Sequence, residues 1–294
     1  MTTAATEIAA SAARPKLAGL RLPRPLARSP LALAALGLVA AWAAAASLAP
    51  VLAPHPPLAQ DIAHRLSPPG GDHWLGTDPL GRDILSRILY GARLSIPVGA
   101  AAVVLAGGLG IAIGGAAGLF GGIVDEAVMR TTDLMLAFPT VILAMVITAA
   151  LGAGIQNAVL AIMVAWWPSY ARLERGLVLS LRGREFVEAA RALGASRLRI
   201  ALRHVLPGTI SPIVILGTLD VGHAILTFAS LSFLGLGPPP QIPEWGSMIA
   251  AGRNYLNQWW IAAFPGLAIL SLVLAFNVVG DSLRDLLDPR LRRI

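Results

Sequence analysis

Long uncharged apolar runs alternate with short charged segments along the whole chain. The first run, residues 31–53, holds 23 residues, enough at 1.5 Å per residue to cross a hydrocarbon core about 30 Å thick. A second covers residues 94–124. From 134 to 171 there are 38 residues without a charge; one helix of that length would measure about 57 Å, nearly twice the core. That stretch therefore predicts two helices of roughly 18 to 20 residues either side of a tight turn at Gly152, Gly154, Gln156 and Asn157. A fifth span is expected over 205–234, interrupted by Asp220 and His223. A polar, Pro-rich loop at 235–258 then precedes a sixth span at 259–279. The pattern is all-α with six membrane-crossing helices. An even number of spans returns both chain ends to one side.

Composition agrees. Hydrophobic residues make up 56% and charged residues 13%, with mean hydropathy +0.70, whereas a soluble domain carries about 25% charge. The formal charge of +7 would suit nucleic acid, but 17 of the 23 basic residues fall in segments 1–30, 171–207 and 281–294. These alternate with the apolar runs as positive-inside loops do, so both termini are expected to be cytoplasmic and nucleic acid is not expected as a partner. Segment 54–93 balances four Asp with four Arg and is expected outside. A cleaved signal peptide is the rival reading of the first run, but the basic leader and the run are both longer than such a signal requires. With no Cys in the chain, disulfides and thiolate sites are excluded.

Gly110, Gly114, Gly118 and Gly122 recur every fourth residue, which stacks them on one face and reads as a close-packed helix seam, with a flexible gating helix as the other reading. Lys16 is the sole lysine, so no Gly-rich phosphate loop ending in Gly-Lys is possible and ATP is not bound in that way. His55, His64 and His73 lie nine residues apart, a spacing that fits no common metal-ligand pattern and reads as surface histidines. Trp245, Trp259 and Trp260 suit a membrane interface. Asp220 and His223 share a helix face three positions apart. Ionisable groups at such depth either contact substrate or a gate, or satisfy each other as a structural pair.

The most informative stretch is Glu185-Phe186-Val187-Glu188-Ala189-Ala190-Arg191-Ala192-Leu193-Gly194, followed by Ala195-Ser196-Arg197-Leu198-Arg199-Ile200 and Leu206-Pro207. It predicts a short helix ending at Gly194. Ser196 then caps a second short helix, which Pro207 punctuates. Such a surface helix-turn-helix could receive another protein at Ala189 and Ala190, or rest on anionic lipid.

Glu188-Ala189-Ala190 with Gly194, Ile200 and Leu206-Pro207 resembles the EAA loop of ABC importer permeases. Other stretches are similar to the dipeptide, oligopeptide and nickel permease family, and within it to the C-type subunit. They are His73-Trp74-Leu75-Gly76-Thr77-Asp78-Pro79-Leu80-Gly81-Arg82-Asp83, Leu231-Ser232-Phe233-Leu234-Gly235-Leu236-Gly237, Phe264-Pro265-Gly266, Gly280-Asp281-Ser282-Leu283-Arg284-Asp285 and Asp288-Pro289-Arg290. Leu206-Pro207-Gly208 departs from the commoner Leu-Pro-Asn.

The resemblance implies a type I ABC importer permease fold with a core at 94–281 and a coupling loop at 182–207, preceded by a cytoplasmic segment 1–30, a first helix 31–53 and an outer segment 54–93, and followed by a tail 282–294. It implies a non-catalytic subunit of the bacterial inner membrane that imports dipeptides or oligopeptides. Its partners would be a homologous B-type permease, two ABC ATPase subunits that hydrolyse ATP with Mg, an extracytoplasmic substrate-binding protein and membrane lipid. No cofactor is expected on this chain. Glu188, Ala189, Ala190, Gly194, Ile200, Leu206 and Pro207 would form the ATPase contact, and Asp220 and His223 are pathway candidates. A nickel chelate is the alternative substrate, and an ion-coupled secondary transporter using Asp220 is a remoter one.

Overall fold

The computed structural model describes residues 29–287; the segment 1–28 and the Asp288-Pro289-Arg290 motif lie outside them. Ser29 opens helix α1 (Pro30–Ser47) by accepting the Ala32 amide at 3.3 Å, with Pro30 in the first turn. A short α2 (Ala49–Leu52) leads into an irregular segment that contains one 3₁₀ turn, Ile62–His64. Among the described residues there is no strand. Two isolated bridges, Gly70 to His73 and Thr77 to Asp83, tie the segment together.

Helix α3 (Ile84–Phe120) is 37 residues long, about 55 Å. It starts ten residues before the uncharged run because the Asp83 carboxylate caps it, accepting the Ser86 amide at 2.8 Å. Arg87 and Arg93 are consequently helical. Positive φ at Gly121 (68°) and Gly122 (58°) breaks the chain before α4 (Gly122–Leu136). A 92° bend then leads into α5 (Thr140–Leu151). Pro139 sits at that bend, where its missing N–H cannot continue the helix.

The turn predicted near residue 152 is present, at Gly152 to Gly154, but its flanks are unequal. Helix α5 has 12 residues, whereas α6 (Ile155–Arg182) has 28. Helix α6 outlasts its apolar half because α4 supplies acids for its arginines: Arg175 Nη2 donates to Asp125 at 2.7 Å, and Arg172 pairs with Asp133. After α7 (Glu185–Ala192) and α8 (Arg197–Ile200) come a π-helical turn (Ala201–Val205) and α9 (Leu206–Phe233). The 235–258 loop contains α10 (Trp245–Gly252), and α11 (Trp260–Leu287) closes the described chain.

Four helices are long and apolar enough to cross a membrane: α1, α3, the continuous 197–233 rod and α11. The bent α4–α5 pair makes five. Helix α6, whose first 17 residues are uncharged, is compatible with the sixth.

The α3–α6 contact carries the glycine seam. A Cβ at Gly110 would run into Tyr170 and the Trp167 carbonyl, at Gly114 into the Ala171 backbone, and at Gly118 into Val178. Gly122 faces open space and is not part of it. Close backbone approach is what small residues at this period allow. Helix α9 sits centrally against α3, α6 and α11. Trp42 of α1 donates to Ser271 of α11 at 3.0 Å.

Two of the three tryptophans assigned to a membrane interface are instead core anchors. Trp245 is fully buried among Ile84, Ile88, Ile225 and Trp260 and donates to the Ile88 carbonyl at 3.1 Å. Trp260 donates to the Thr77 carbonyl at 3.3 Å. Trp259 is exposed. A buried indole settles where its N–H finds an acceptor, a condition composition does not reveal.

Candidate functional site

Residues 182–207 fold on themselves and stand on the end of α3 and α6. Glu185 and Glu188 occupy the first turn of α7 and Arg191 its last, matching the helix dipole at both ends. The helix stops at Gly194, where φ is +83°. The Gly194 amide donates to the Arg191 carbonyl at 3.0 Å, and the Ala195 amide donates to the Ala190 carbonyl at 3.1 Å. These two bonds make a Schellman cap, which needs a left-handed residue at that point. Ser196 Oγ then accepts the Arg199 amide at 3.3 Å and starts the next helix.

Pro207 does not punctuate that helix. The rod runs unbroken from Arg197 to Phe233, and the π turn immediately before the proline explains how. Widening by one residue gives the proline ring room beside the preceding turn, and the Leu206 amide bonds the Ala201 carbonyl five residues back.

One face of this unit is buried and the other is bare. Val187, Ile200 and Val205 pack with Val178, supported by Leu119, Leu181 and Ala190. Glu188, Ala189 and Gly194 are exposed. Around them Phe186, Leu193, Leu198 and Leu202 are also exposed, Leu193 at 89%. The seven predicted contact residues thus divide. Glu188, Ala189, Gly194 and Pro207 lie at the surface, Ile200 anchors the unit, and Ala190 and Leu206 sit between.

Glu174, which the sequence reading passed over, lies beneath this unit. It is 1% exposed; Oε1 accepts the Thr209 hydroxyl at 3.1 Å and Oε2 has no partner among the described residues. It borders a hollow of about 420 Å³ between α3, α6 and the π turn, lined by Ile111, Val178, Ala201 and Leu202.

Asp220 has a partner that spacing could not reveal. The Tyr170 hydroxyl of α6 donates to its Oδ2 at 2.6 Å, while His223 Nδ1 lies 3.7 Å from Oδ1 and its side chain is 54% exposed. The carboxylate is anchored across two helices rather than along one. Together with Thr140, Trp166 and Ser169 these groups line an open groove of about 420 Å³.

At the other end of the molecule, the Asp and Arg residues of 77–87 form a buried knot. Asp78 accepts the Leu80 amide at 2.8 Å, the Arg82 amide at 3.0 Å and Arg82 Nε at 2.6 Å, with Arg87 Nε at 3.8 Å. Arg82 and Arg87 both donate to the Pro240 carbonyl, and Arg87 also to that of Pro57. Three separate segments are thereby locked over the start of α3.

An all-α bundle of long apolar helices carrying a short capped helix pair at one end is the architecture of a polytopic membrane protein. Residues 110–293 match the family described as binding-protein-dependent transport system inner membrane component, and the chain belongs to that family. Residues 24–69 match the N-terminal transmembrane domain of oligopeptide transport permease C. The chain is 43% identical over 285 residues to the probable D,D-dipeptide transport system permease protein of Escherichia coli, covering 95% of this chain and 96% of that one. It is 46% identical over 243 residues to the nickel transport system permease protein of Escherichia coli, covering 81% and 86%. It is 44% identical over 254 residues to the di/tripeptide transport system permease protein of Pseudomonas aeruginosa, covering 84% of each.

Proposed function

We propose that the chain forms half of the translocation pathway of an ATP-driven importer of dipeptides or oligopeptides, paired with a homologous permease. Segment 182–207 receives an ABC ATPase subunit, and a binding protein delivers substrate at the opposite face. The observation that carries this reading is the two-sided build of 182–207. Its inner face is bolted to α6 through Val187, Ile200 and Val205, while its outer face presents Phe186, Leu193 and Leu198 uncovered among the described residues. Exposed apolar groups gathered around a charged residue suit a protein partner. The basic residues of 171–207 favour the cytoplasmic side for that face, and both termini with it. Peptide is favoured over nickel chelate by the names of two of the three relatives described, and the nickel permease keeps the chelate as the second reading. An ion-coupled carrier built on Asp220 has no support in the family.

The test is uptake in proteoliposomes holding both permeases, the ATPase subunits and the binding protein. ATP-dependent uptake of labelled di- or oligopeptide is expected; uptake of nickel chelate without peptide would replace the substrate assignment. In intact cells, an impermeant thiol reagent should label a cysteine at position 72 and spare one at 190, and the reverse would invert the orientation. In the same uptake assay Asp220→Asn and Tyr170→Phe should each lower transport a few-fold. Tyr170→Phe removes the donor of this hydrogen bond and Asp220→Asn removes the charge on its acceptor; such a bond contributes about 1 kcal/mol when neutral and about 1.5–3 kcal/mol when charged. Complete loss from Asp220→Asn in an assembled complex would make Asp220 part of the pathway chemistry.

A further inference from the structure

Two of the histidines that sequence spacing reads as unrelated surface groups meet at one carboxylate. His55 follows α2, His73 lies in the bridged loop and Asp83 caps α3, yet their candidate ligand atoms all fall within 4.8 Å of one another. His73 Nδ1 is 3.0 Å from Asp83 Oδ1, and His55 Nδ1 is 3.9 Å from the same oxygen. The imidazole rings lie side by side, with centroids 4.7 Å apart and planes tilted by 34°. Metal–ligand bonds of about 2.0–2.2 Å in a tetrahedral site place neighbouring ligand atoms about 3.3–3.5 Å apart. The two observed separations bracket that value.

The protein-only arrangement leaves a defect that a cation would remove. His55 Nδ1 is buried and has no hydrogen-bond partner among the described residues. With His73 Nδ1 against Oδ1, His55 Nδ1 presents either an N–H too far from its acceptor or a lone pair facing an anionic oxygen, and buried nitrogen is rarely left so. A shared cation accepts lone pairs from both imidazoles and charge from the carboxylate.

The three groups are also held from behind, as metal ligands are. Asp83 Oδ2 accepts the Ser86 amide at 2.8 Å and the Ser86 hydroxyl at 2.7 Å, which turns Oδ1 toward the histidines. The same Ser86 oxygen accepts the His55 amide at 3.1 Å. His73 is pinned by its paired backbone bonds to Gly70, at 3.0 and 3.1 Å. On the open side the site faces a hollow of about 540 Å³ lined by Asp61, His64 and Asp72.

We infer that His55, His73 and Asp83 form a binding site for a divalent transition cation, of which Zn²⁺ is the best match. Two imidazoles and a carboxylate suit zinc, nickel and copper rather than calcium or magnesium. The bound ion clips the chain after α2 and the 70–83 loop onto the start of α3. This inference does not depend on the imported substrate.

The experiment uses the full-length permease in its assembled complex, purified without a histidine tag and stripped with a chelator. Zn²⁺ is titrated by calorimetry, and Co²⁺ is followed by its visible absorption as a spectroscopic probe. One saturable site per chain is expected in the wild type, with the intense absorption of a low-coordinate cobalt centre. His55→Gln and His73→Gln should each weaken binding by more than the roughly 10–100-fold that loss of an outer-shell partner brings. His64→Gln should bind as the wild type does. X-ray absorption at the zinc edge of the wild-type complex should show two imidazoles and needs no variant. Absence of a saturable site, unchanged binding in the His55→Gln, His73→Gln double variant, or a zinc shell without imidazole would each overturn the assignment.

Discussion

Gly194→Arg is expected to leave the subunit inserted and folded while abolishing stimulation of ATP hydrolysis by loaded binding protein. The cap geometry separates the two effects. Gly194 sits at φ +83°, where any side chain is strained, but a Cβ there would meet no atom of the described residues within 4 Å. The intrinsic penalty is therefore about 1 kcal/mol of backbone preference, too little to unfold a bundle of this size. What an arginine does add is a long cation in the middle of the exposed patch formed by Glu188, Ala189, Phe186 and Leu193. A protein seated on that patch would have to leave. Gly194→Ala, which meets the backbone penalty alone, should keep most coupling. Glu188→Lys reverses the charge in the first turn of α7, worth about 0.3–1 kcal/mol to the helix, and should weaken attachment less than Gly194→Arg does. The measurements are ATPase activity of the reconstituted complex with and without loaded binding protein, and co-purification of the ATPase subunits. Normal stimulation and attachment in Gly194→Arg would return segment 182–207 to the role of a lipid-surface helix pair.

Asp78→Ala should be the most damaging single change at the other end of the molecule. Its carboxylate receives two backbone amides and the Arg82 guanidinium, with Arg87 beside it, and Asp78, Arg82 and Arg87 are 4%, 7% and 2% exposed. Removing the acid leaves two cations buried with carbonyls alone, and breaking a buried pair in this way costs about 3–5 kcal/mol. The segments around Pro57 and Pro240 are held through those same guanidiniums, so both should loosen together. Limited proteolysis should cut within 54–83 and 235–258, and the purified complex should melt at lower temperature. Unchanged protease resistance and melting would show that the knot is dispensable.

Apolar spans, the turn at Gly152 and the glycine seam were legible because each is a local pattern with its own period or breaker. The Gly194 cap was legible for the same reason. Less visible was anything decided between distant segments. Arg87 reads as a loop charge until Asp78 and the Pro57 and Pro240 carbonyls are found around it, and so the start of α3 was placed ten residues late. Tyr170 and Asp220 are separated by 50 residues, and no spacing announces their bond. The nine-residue interval of the histidines hid the encounter of His55 with His73, which Asp83 and Ser86 arrange from a third segment. Pro207 misled in the other direction. Its rule for stopping helices holds for a regular turn, and here the preceding turn is wide.

That wide turn makes one continuous rod out of what would have been two separate helices. From Arg197 to Phe233 the rod holds 37 residues, about 55 Å from end to end. Leu198 rides on one tip and Asp220 lies past the midpoint. Gly222 marks the close approach to α11, since a Cβ there would meet the Val273 backbone at 3.1 Å. A tilt of about 10° around such a point, with arms of some 15–40 Å at 1.5 Å per residue, swings the Leu198 tip by about 6 Å and the Phe233 tip by about 3 Å the opposite way. We propose that a push on the short capped helices reaches the Phe233 end through this rod, which stays helical through Pro207 and Pro212.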